Sequence, residues 1–228
     1  MNGILLIDKP AGWTSHDVVA KIRAIIRART GQRVKVGHVG TLDPAATGLL
    51  VILVGSYTKR AAEFAKLDKT YEAEITLGAI SSTGDSEGKI SSKSAKKPTK
   101  EAVEAVLASF LGEIMQTPHQ YSAVKIGGQR AYKVARAGKT VEIEPRKITI
   151  YQLQTTNYQY PKLYITARVS SGTYIRSLAE DIGQKLGTGA YLSALRRTKI
   201  GQFDLKEALE IDSINFELIT KHLKTVAI

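Results

Sequence analysis

The 228-residue chain has no cysteine, one tryptophan, two methionines and six prolines. Without cysteine it can build neither a disulfide framework nor a thiolate metal site, and it suits a reducing compartment. Its four histidines, at 16, 38, 119 and 222, show no close metal-ligand spacing, which argues against zinc. Long apolar runs are also missing: none approaches the roughly 20 residues of a membrane helix. The N-terminal MNGILLIDKP lacks a basic leader and reaches an acid at Asp8, so no secretory signal is expected. Acid is scarce. Asp and Glu number 21 against 33 Lys and Arg, a net charge of +12, which points to a polyanion partner such as nucleic acid.

What is present is an ordinary globular composition, 43% apolar and 24% charged. Residues 3–8 read as a short buried strand. Residues 15–29 read as an amphipathic helix, with Val18, Val19, Ile22, Ile25 and Ile26 on one face and Ser15 as N-cap. From Val18 to Leu42 there is no acid, while Lys21, Arg23, Arg27, Arg29, Arg33 and Lys35 are basic, a bias that favours phosphate contact. Residues 37–48, GHVGTLDPAATG, read as a loop and 49–54 as a strand. A short helix is predicted over 57–67, a half-buried strand over 70–77 and an exposed insertion over 81–98. The apolar stripe Val103, Val106, Leu107, Phe110 and Leu111 marks a helix. A strand at 121–126, a turn at Gly127 and Gly128, an antiparallel pair at 146–156 and 162–169 and a helix over 173–186 follow. The mixture predicts an α+β protein with a mixed, largely antiparallel central sheet flanked by helices and loops.

Several chemistries can be set aside. Ser15, His16 and Asp17 are consecutive and cannot converge as a triad. Residues 84–89, GDSEGK, are one residue short of a phosphate loop and continue with Ile90 where a hydroxyl should hold magnesium. GHVG at 37–40 fits a KH-type GxxG, too short a pattern to stand alone. Asp43 stands out. It lies in the glycine-rich loop, and Pro44 pushes it away from helical geometry. Such a carboxylate can be aimed into a cleft, or it can simply organise the loop as an Asx-turn.

The motifs become specific when taken together. Residues 37–55, GHVGTLDPAATGLLVILVG, resemble the catalytic motif of the TruB family, the tRNA pseudouridine-55 synthases. Residues 8–19 (DKPAGWTSHDVV), 69–78 (KTYEAEITLG), 118–136 (PHQYSAVKIGGQRAYKVAR), 169–183 (VSSGTYIRSLAEDIG) and 192–198 (LSALRRT) resemble further family motifs, in family order and across nearly the whole chain.

The resemblance implies a pseudouridine synthase fold and a cofactor-free isomerisation of uridine in RNA. The glycosidic bond breaks, the uracil rotates and C5 is joined to the ribose. It implies Asp43 as the essential carboxylate, attacking C1′ or taking the C2′ proton; the residues leave both routes open. Arg176 is implied as the cation paired with it, and Tyr71 as the aromatic that stacks on the base and can take the C5 proton. His38 is implied to accommodate the flipped nucleotide, Tyr174 to pack in the same pocket and Leu195 to supply an apolar wall. Lys9 and Pro10 are implied to support the catalytic loop at the RNA side, and Asp85 to lie near the RNA. Arg23, Arg27, Arg196 and Arg197 are candidates for phosphate contact.

The expected partner is the T stem-loop of tRNA, bound by a cytoplasmic monomer with no guide RNA and no membrane contact. About 25 residues follow the IGQF stretch at 200–203, too few for the PUA-type domain such enzymes usually carry. A single catalytic domain over 1–228, with an RNA-facing insertion around 81–98, is therefore expected. A guide-dependent synthase and a purely RNA-binding protein are the rival readings.

Overall fold

A computed structural model describes the chain except for residues 122–124, 127, 132–133, 135–142 and 226–228, and except for the side chains of 125, 126 and 130. The elements run β1 (Gly3–Lys9), α1 (Ser15–Thr30), β2 (Val36–Val39), β3 (Thr47–Val54), α2 (Ala61–Ala65), β4 (Lys69–Leu77), β5 (Ala79–Ser81), β6 (Ile90–Ser92), α3 (Lys100–Ala108), β7 (Gly112–Gln116), β8 (Lys125–Ile126), β9 (Gln129–Arg130), β10 (Arg146–Gln159), β11 (Lys162–Val169), α4 (Ile175–Leu186), β12 (Ala190–Ile200), β13 (Phe203–Asp204), β14 (Leu209–Glu210) and α5 (Phe216–His222). Two compact units divide the chain, residues 1–71 with 196–228, and residues 72–195. The chain leaves the first unit within β4 and returns within β12.

In the first unit the strand order is β14, β1, β3 and then the C-terminal part of β12, with β2 also on β3. β1 runs antiparallel to β3 and parallel to β14; β12 runs parallel to β3, with Arg196 opposite Thr47 and Arg197 opposite Gly48. Both faces of this sheet are covered, which is why β1 and β3 are almost wholly apolar. Leu5, Ile7, Leu50, Ile52 and Val54 pack against Val18, Val19, Ile22 and Ile26 of α1 and Ile219 of α5. The alternate residues Ile4, Leu6, Leu49, Val51 and Leu53 pack against Phe64 of α2, Ile200 and Phe203.

The second unit is built on β4, β11, β10 and β7, in that order. β10 pairs antiparallel with β11, in register from Ile150 opposite Val169 to Gln159 opposite Lys162 with two irregularities, and with β7 on its other side. The antiparallel pair read from the alternation is therefore present, and the described sheets are mixed but largely antiparallel. α3 packs against α4 and β10. The stripe Ile175, Leu178, Ala179, Ile182 and Leu186 of α4 is buried throughout.

Four local expectations are corrected. Residues 37–39, at the start of the loop expected over 37–48, belong to strand β2, because Gly37, His38 and Val39 pair with Leu53, Ile52 and Val51 of β3. The predicted helix over 57–67 shortens to α2 after a 3-10 turn at Gly55–Arg60. Leu111 lies beyond α3 and is 48% exposed, so the apolar stripe ends at Phe110. The segment 81–98 is not uniformly exposed: Ser81 and Asp85 are buried. Most of the strand expected at 121–126 lies outside the described residues, although Lys125 and Ile126 pair with Arg130 and Gln129.

The start of α1 is a fifth. Thr14, not Ser15, is its N-cap, and the Thr14 hydroxyl accepts from Asp17 N while the Asp17 carboxylate accepts from Thr14 N at 2.8 Å, a reciprocal capping box. Thr14→Ala is expected to cost about 1 kcal/mol of stability. Urea unfolding of the two proteins checks this, and an unchanged midpoint would show that α1 does not depend on the box.

Candidate active site

In the first unit the residues around Asp43 form a loop, 40–46, between β2 and β3. Asp43 itself is exposed, whereas its neighbours Leu42 and Ala46 are buried. The backbone is tied on both sides of it. The Ser15 hydroxyl donates to Leu42 O at 3.1 Å and accepts from Leu42 N at 2.9 Å. Pro44 O accepts from Gly12 N at 2.9 Å and from Lys9 Nζ at 3.2 Å. Ala46 N donates back to Asp43 O at 3.1 Å, closing a tight turn.

Lys9 is fully buried, and its three ammonium hydrogens match three carbonyls, those of Pro10 (2.8 Å), Trp13 (2.7 Å) and Pro44. Burial lowers its pKa to about 8, opposed first by the charge of Asp43 and reinforced by the guanidinium of Arg197. Lys9 thus holds the loop. With no exposed surface it does not reach RNA. Pro10 lies beside it, half-buried.

Arg197 is a second correction. It was a candidate for phosphate contact, but it is 1% exposed and donates through Nε to Leu49 O and through Nη2 to Gly40 O, both at 2.8 Å. Strand alternation explains the error: adjacent residues of β12 point to opposite faces, so the dipeptide cannot place both guanidiniums in solvent. Arg196 faces the other way and is half-exposed, with Nη2 on Asp8 at 2.6 Å. Arg23 and Arg27 are exposed on α1. His38 is half-buried on β2. Tyr71, 8% exposed, is the last residue of this unit.

The second unit gathers Arg176, Tyr174 and Asp85. α4 is docked by its first turn. The side-chain amide of buried Gln116, at the end of β7, accepts from Tyr174 N at 2.9 Å and donates to Tyr174 O at 3.0 Å, and the Ser177 hydroxyl donates to Thr117 O at 3.0 Å. Arg176 follows directly, its Nη2 2.7 Å from Asp85 Oδ2 and its Nη1 donating to Thr83 O at 3.2 Å. Asp85, expected to face RNA, is instead 7% exposed, and its other oxygen accepts from the Thr83 hydroxyl at 2.5 Å and from Glu87 N at 3.1 Å. Gly84 makes this approach possible. Its φ is +73°, and a Cβ there would lie 2.9 Å from Arg176 Cγ and 3.0 Å from Glu180 Oε1. Residues 84–89 are therefore a turn that presents a carboxylate to an arginine, not a phosphate cradle. Leu195, half-buried on β12, closes this unit.

Two further residues, not singled out in the sequence, attach to this ion pair. His119 Nε2 lies 3.6 Å from Glu180 Oε1, and its ring stacks on Tyr121 at 5.7 Å between centroids. Burial, then the charge of Arg176, lowers the His119 pKa to about 4, against the pull of Asp85. Burial, then the neighbouring Asp181, raises Glu180 to about 7, with Arg176 opposing and Asp85 adding to the rise. The two lie in separate quoted stretches, 118–136 and 169–183, and no spacing marks them as a pair, because one end is on a helix and the other on the segment after β7. The parts played by Ser15, read as a cap, and by Gln116 were not foreseen either. Only Ser15 left a signal, since Thr14 and Asp17 at capping-box spacing release it from the cap.

Glu180 has a consequence for stability. Between pH 4.5, its ordinary value, and about 7, the folded chain keeps a proton that the unfolded chain has released. Raising the pH through that window therefore favours unfolding. Glu180→Gln removes the effect, so the variant is expected to gain on the wild type from pH 4.5 to 7 and to hold a constant lead above. Unfolding free energies at pH 4.5, 6 and 8 test this. Parallel pH profiles would show that Glu180 titrates as an ordinary carboxyl.

Comparison with known proteins gives this geometry a family. Residues 25–175 match the N-terminal domain of TruB family pseudouridylate synthases, and residues 176–225 match the C-terminal domain of tRNA pseudouridylate synthase B. The tRNA pseudouridine synthase B of Opitutus terrae is 43% identical over 215 residues, covering 94% of this chain and 87% of that protein. The protein of that name from Francisella philomiragia is 44% identical over 229 residues, covering 100% of this chain and 74% of the relative. Among solved structures, a chain of a Cbf5-Nop10-Gar1 complex is similar with a TM-score of 0.72 and 28% identity, over 96% of this chain and 55% of that one. A chain of an H/ACA RNP bound to a substrate RNA containing 2'-deoxyuridine gives a TM-score of 0.68 at 26% identity, over 96% of this chain and 54% of that one. This chain thus spans about half the length of those solved chains. With its α+β architecture, its largely antiparallel sheets and the Asp43 loop described above, it has the pseudouridine synthase fold and belongs to the TruB family of pseudouridylate synthases.

Proposed function

We propose that this chain converts uridine 55 in the T loop of tRNA to pseudouridine, in the cytoplasm, as a monomer and without a guide RNA. The observation that carries the reading is the Asp43 loop: an exposed carboxylate on a backbone hydrogen-bonded at Leu42 and Pro44. Fixed geometry of this kind is what a carboxylate needs when it must meet one ribose carbon or one C2′ proton. The N1–C1′ bond breaks, with Asp43 acting as nucleophile at C1′ or as base at C2′. The freed uracil turns and C5 bonds to C1′, displacing the Asp43 carboxylate or, in the other route, with Asp43 returning the proton to C2′; Tyr71 takes the C5 proton and N1 takes one up. Arg176 is assigned to this chemistry rather than to phosphate, since its side chain is only 11% exposed and its guanidinium is held by Asp85.

Uridine in a folded T loop is stacked, so the enzyme must extrude it at a cost of a few kcal/mol. His38, Tyr174 and Leu195 are assigned to the flipped nucleotide. Arg23 and Arg27, exposed on α1, and the half-exposed Arg196 are assigned to the phosphates that offset the cost. Arg197 and Lys9 are left out of that set because both are buried.

The test follows from the bond changes. Isomerisation expels the C5 hydrogen, so tritium release from a transcript carrying 5-tritiated uridine counts turnovers. The purified chain alone is expected to release tritium from an isolated T-arm stem-loop nearly as efficiently as from whole tRNA. Asp43→Asn should bring release close to zero with RNA affinity roughly kept. No release by the wild type without an added guide would favour a guide-dependent synthase, and full activity of Asp43→Asn would remove the carboxylate from the mechanism.

Tyr71→Phe separates two roles for the ring. Loss of turnover with near-normal binding is expected if the phenol oxygen takes the C5 proton, while equal rates would leave stacking alone. Binding should weaken steeply with salt, and replacing Arg23 and Arg27 by Ala should flatten that dependence. An unchanged salt slope would place these two side chains off the phosphates.

A further inference from the structure

Arg197 is an expensive residue for a protein to bury. The residue is 1% exposed, and its guanidinium donates to main-chain carbonyls. Two other buried cations, Lys9 and Lys69, feel its charge, which works together with burial to lower both to about 8. A site selected for stability alone would do at least as well with a packed apolar side chain. The two carbonyls it binds suggest what the charge is for. Gly40 and Leu49 bound the segment that carries Asp43, one just after β2 and the other inside β3. The surrounding glycines fit the same purpose. Gly40, at φ +68°, would place a Cβ 3.1 Å from Arg197 Nη1, and Gly48, at φ +101°, would place one 2.3 Å from the Arg197 carbonyl oxygen.

We propose that Arg197 is a positioning residue for the reaction: its planar fork ties Gly40 O to Leu49 O and so sets the span of the loop from which Asp43 projects. The inference rests on the reading of Asp43 as the reacting carboxylate. Ser15 and Lys9 hold Leu42 and Pro44 within the loop, but neither bridges its two ends. A guanidinium can do so because its donors diverge in one plane, a geometry that an ammonium cannot reproduce. Displacement of a reacting group by about 1 Å is enough to cost on the order of a hundredfold in rate.

The experiment uses the full chain and single-turnover tritium release at saturating tRNA, well below the melting temperature of each variant. Wild type and Asp43→Asn serve as positive and negative controls. Arg197→Ala is expected to lose about a hundredfold or more in the single-turnover rate, with the Kd for tRNA within about threefold of wild type. Millimolar guanidinium should restore a substantial part of that rate, and equimolar ammonium should not. A residue that only stabilises the fold would lower Tm without this separation of rate from affinity, and guanidinium would not restore turnover to an already folded variant. If Arg197→Ala does not fold, Arg197→Lys decides: a folded protein with most of its rate lost supports the fork. A folded Arg197→Ala or Arg197→Lys within about threefold of wild type overturns the inference while leaving the assignment of Asp43 intact. So does a loss confined to tRNA affinity. Failure of the wild type to turn over overturns both.

Discussion

The structure around Asp43 depends on one kind of interaction: a buried cation hydrogen-bonded to main-chain carbonyls. Asp43 is exposed, and the backbone on either side of it, at Leu42 and Pro44, is hydrogen-bonded to Ser15, Gly12 and Lys9. Carbonyl oxygens are the groups such a loop offers inward, and each must be satisfied if it is buried. Lys9 joins one of them, Pro44 O, to the carbonyls of Pro10 and Trp13, and Arg197 joins another, Gly40 O, to Leu49 O of β3. Neutral donors would suffice for single bonds, as Ser15 and Gly12 show. The cations add reach, joining points far apart in sequence, at the cost of desolvation. That cost is visible at Lys9, whose pKa burial lowers to about 8.

The second unit solves a related problem in the opposite way. There the functional candidate is the cation, and what holds it is an anion. Arg176 stands in the first turn of α4, where the Tyr174 backbone is bound by Gln116 and the next residue, Ser177, reaches Thr117. Asp85 completes the arrangement, and its own carboxylate is spread over Arg176, Thr83 and Glu87 so that both oxygens have partners. Gly84 permits the turn to lie against the arginine stem. A small insertion thereby becomes structural, which is why a stretch rich in Ser, Gly and Lys can be partly buried.

Much of this architecture was legible in the residues, for identifiable reasons. The strands of the first unit are sheathed on both faces and so carry unbroken apolar runs, and the helices α1 and α4 show their buried stripes at helical spacing. The loop that carries Asp43 was marked by glycine and proline, which report backbone geometry directly. Polar residues misled where their partners are remote in sequence. Asp85 reads as a loop acid until Arg176, some ninety residues on, is folded against it. Gln116 and Ser15 are unremarkable until the backbone they bind is in place. Residues 37–39 read as loop because the run 37–48 carries three glycines and a proline, yet pairing with β3 overrides that preference.

Arg196 and Arg197 show why net charge is a coarse guide to function. The excess of +12 suggested a polyanion partner, and part of that excess is available to one, since Arg23 and Arg27 stand exposed on α1, whose one acid, Asp17, is taken up in the capping box. Another part is not. Lys9, Lys69 and Arg197 are buried and bound to carbonyls, and Arg196 spends half its guanidinium on Asp8. A carbonyl satisfies a cation's hydrogen bonds without cancelling its charge, so internal positive groups can accumulate without matching acids. A basic chain can therefore owe some of its charge to the way it holds its own loops. The charge that meets a phosphate is the exposed remainder, and in the first unit strand alternation separates the two kinds within a single dipeptide.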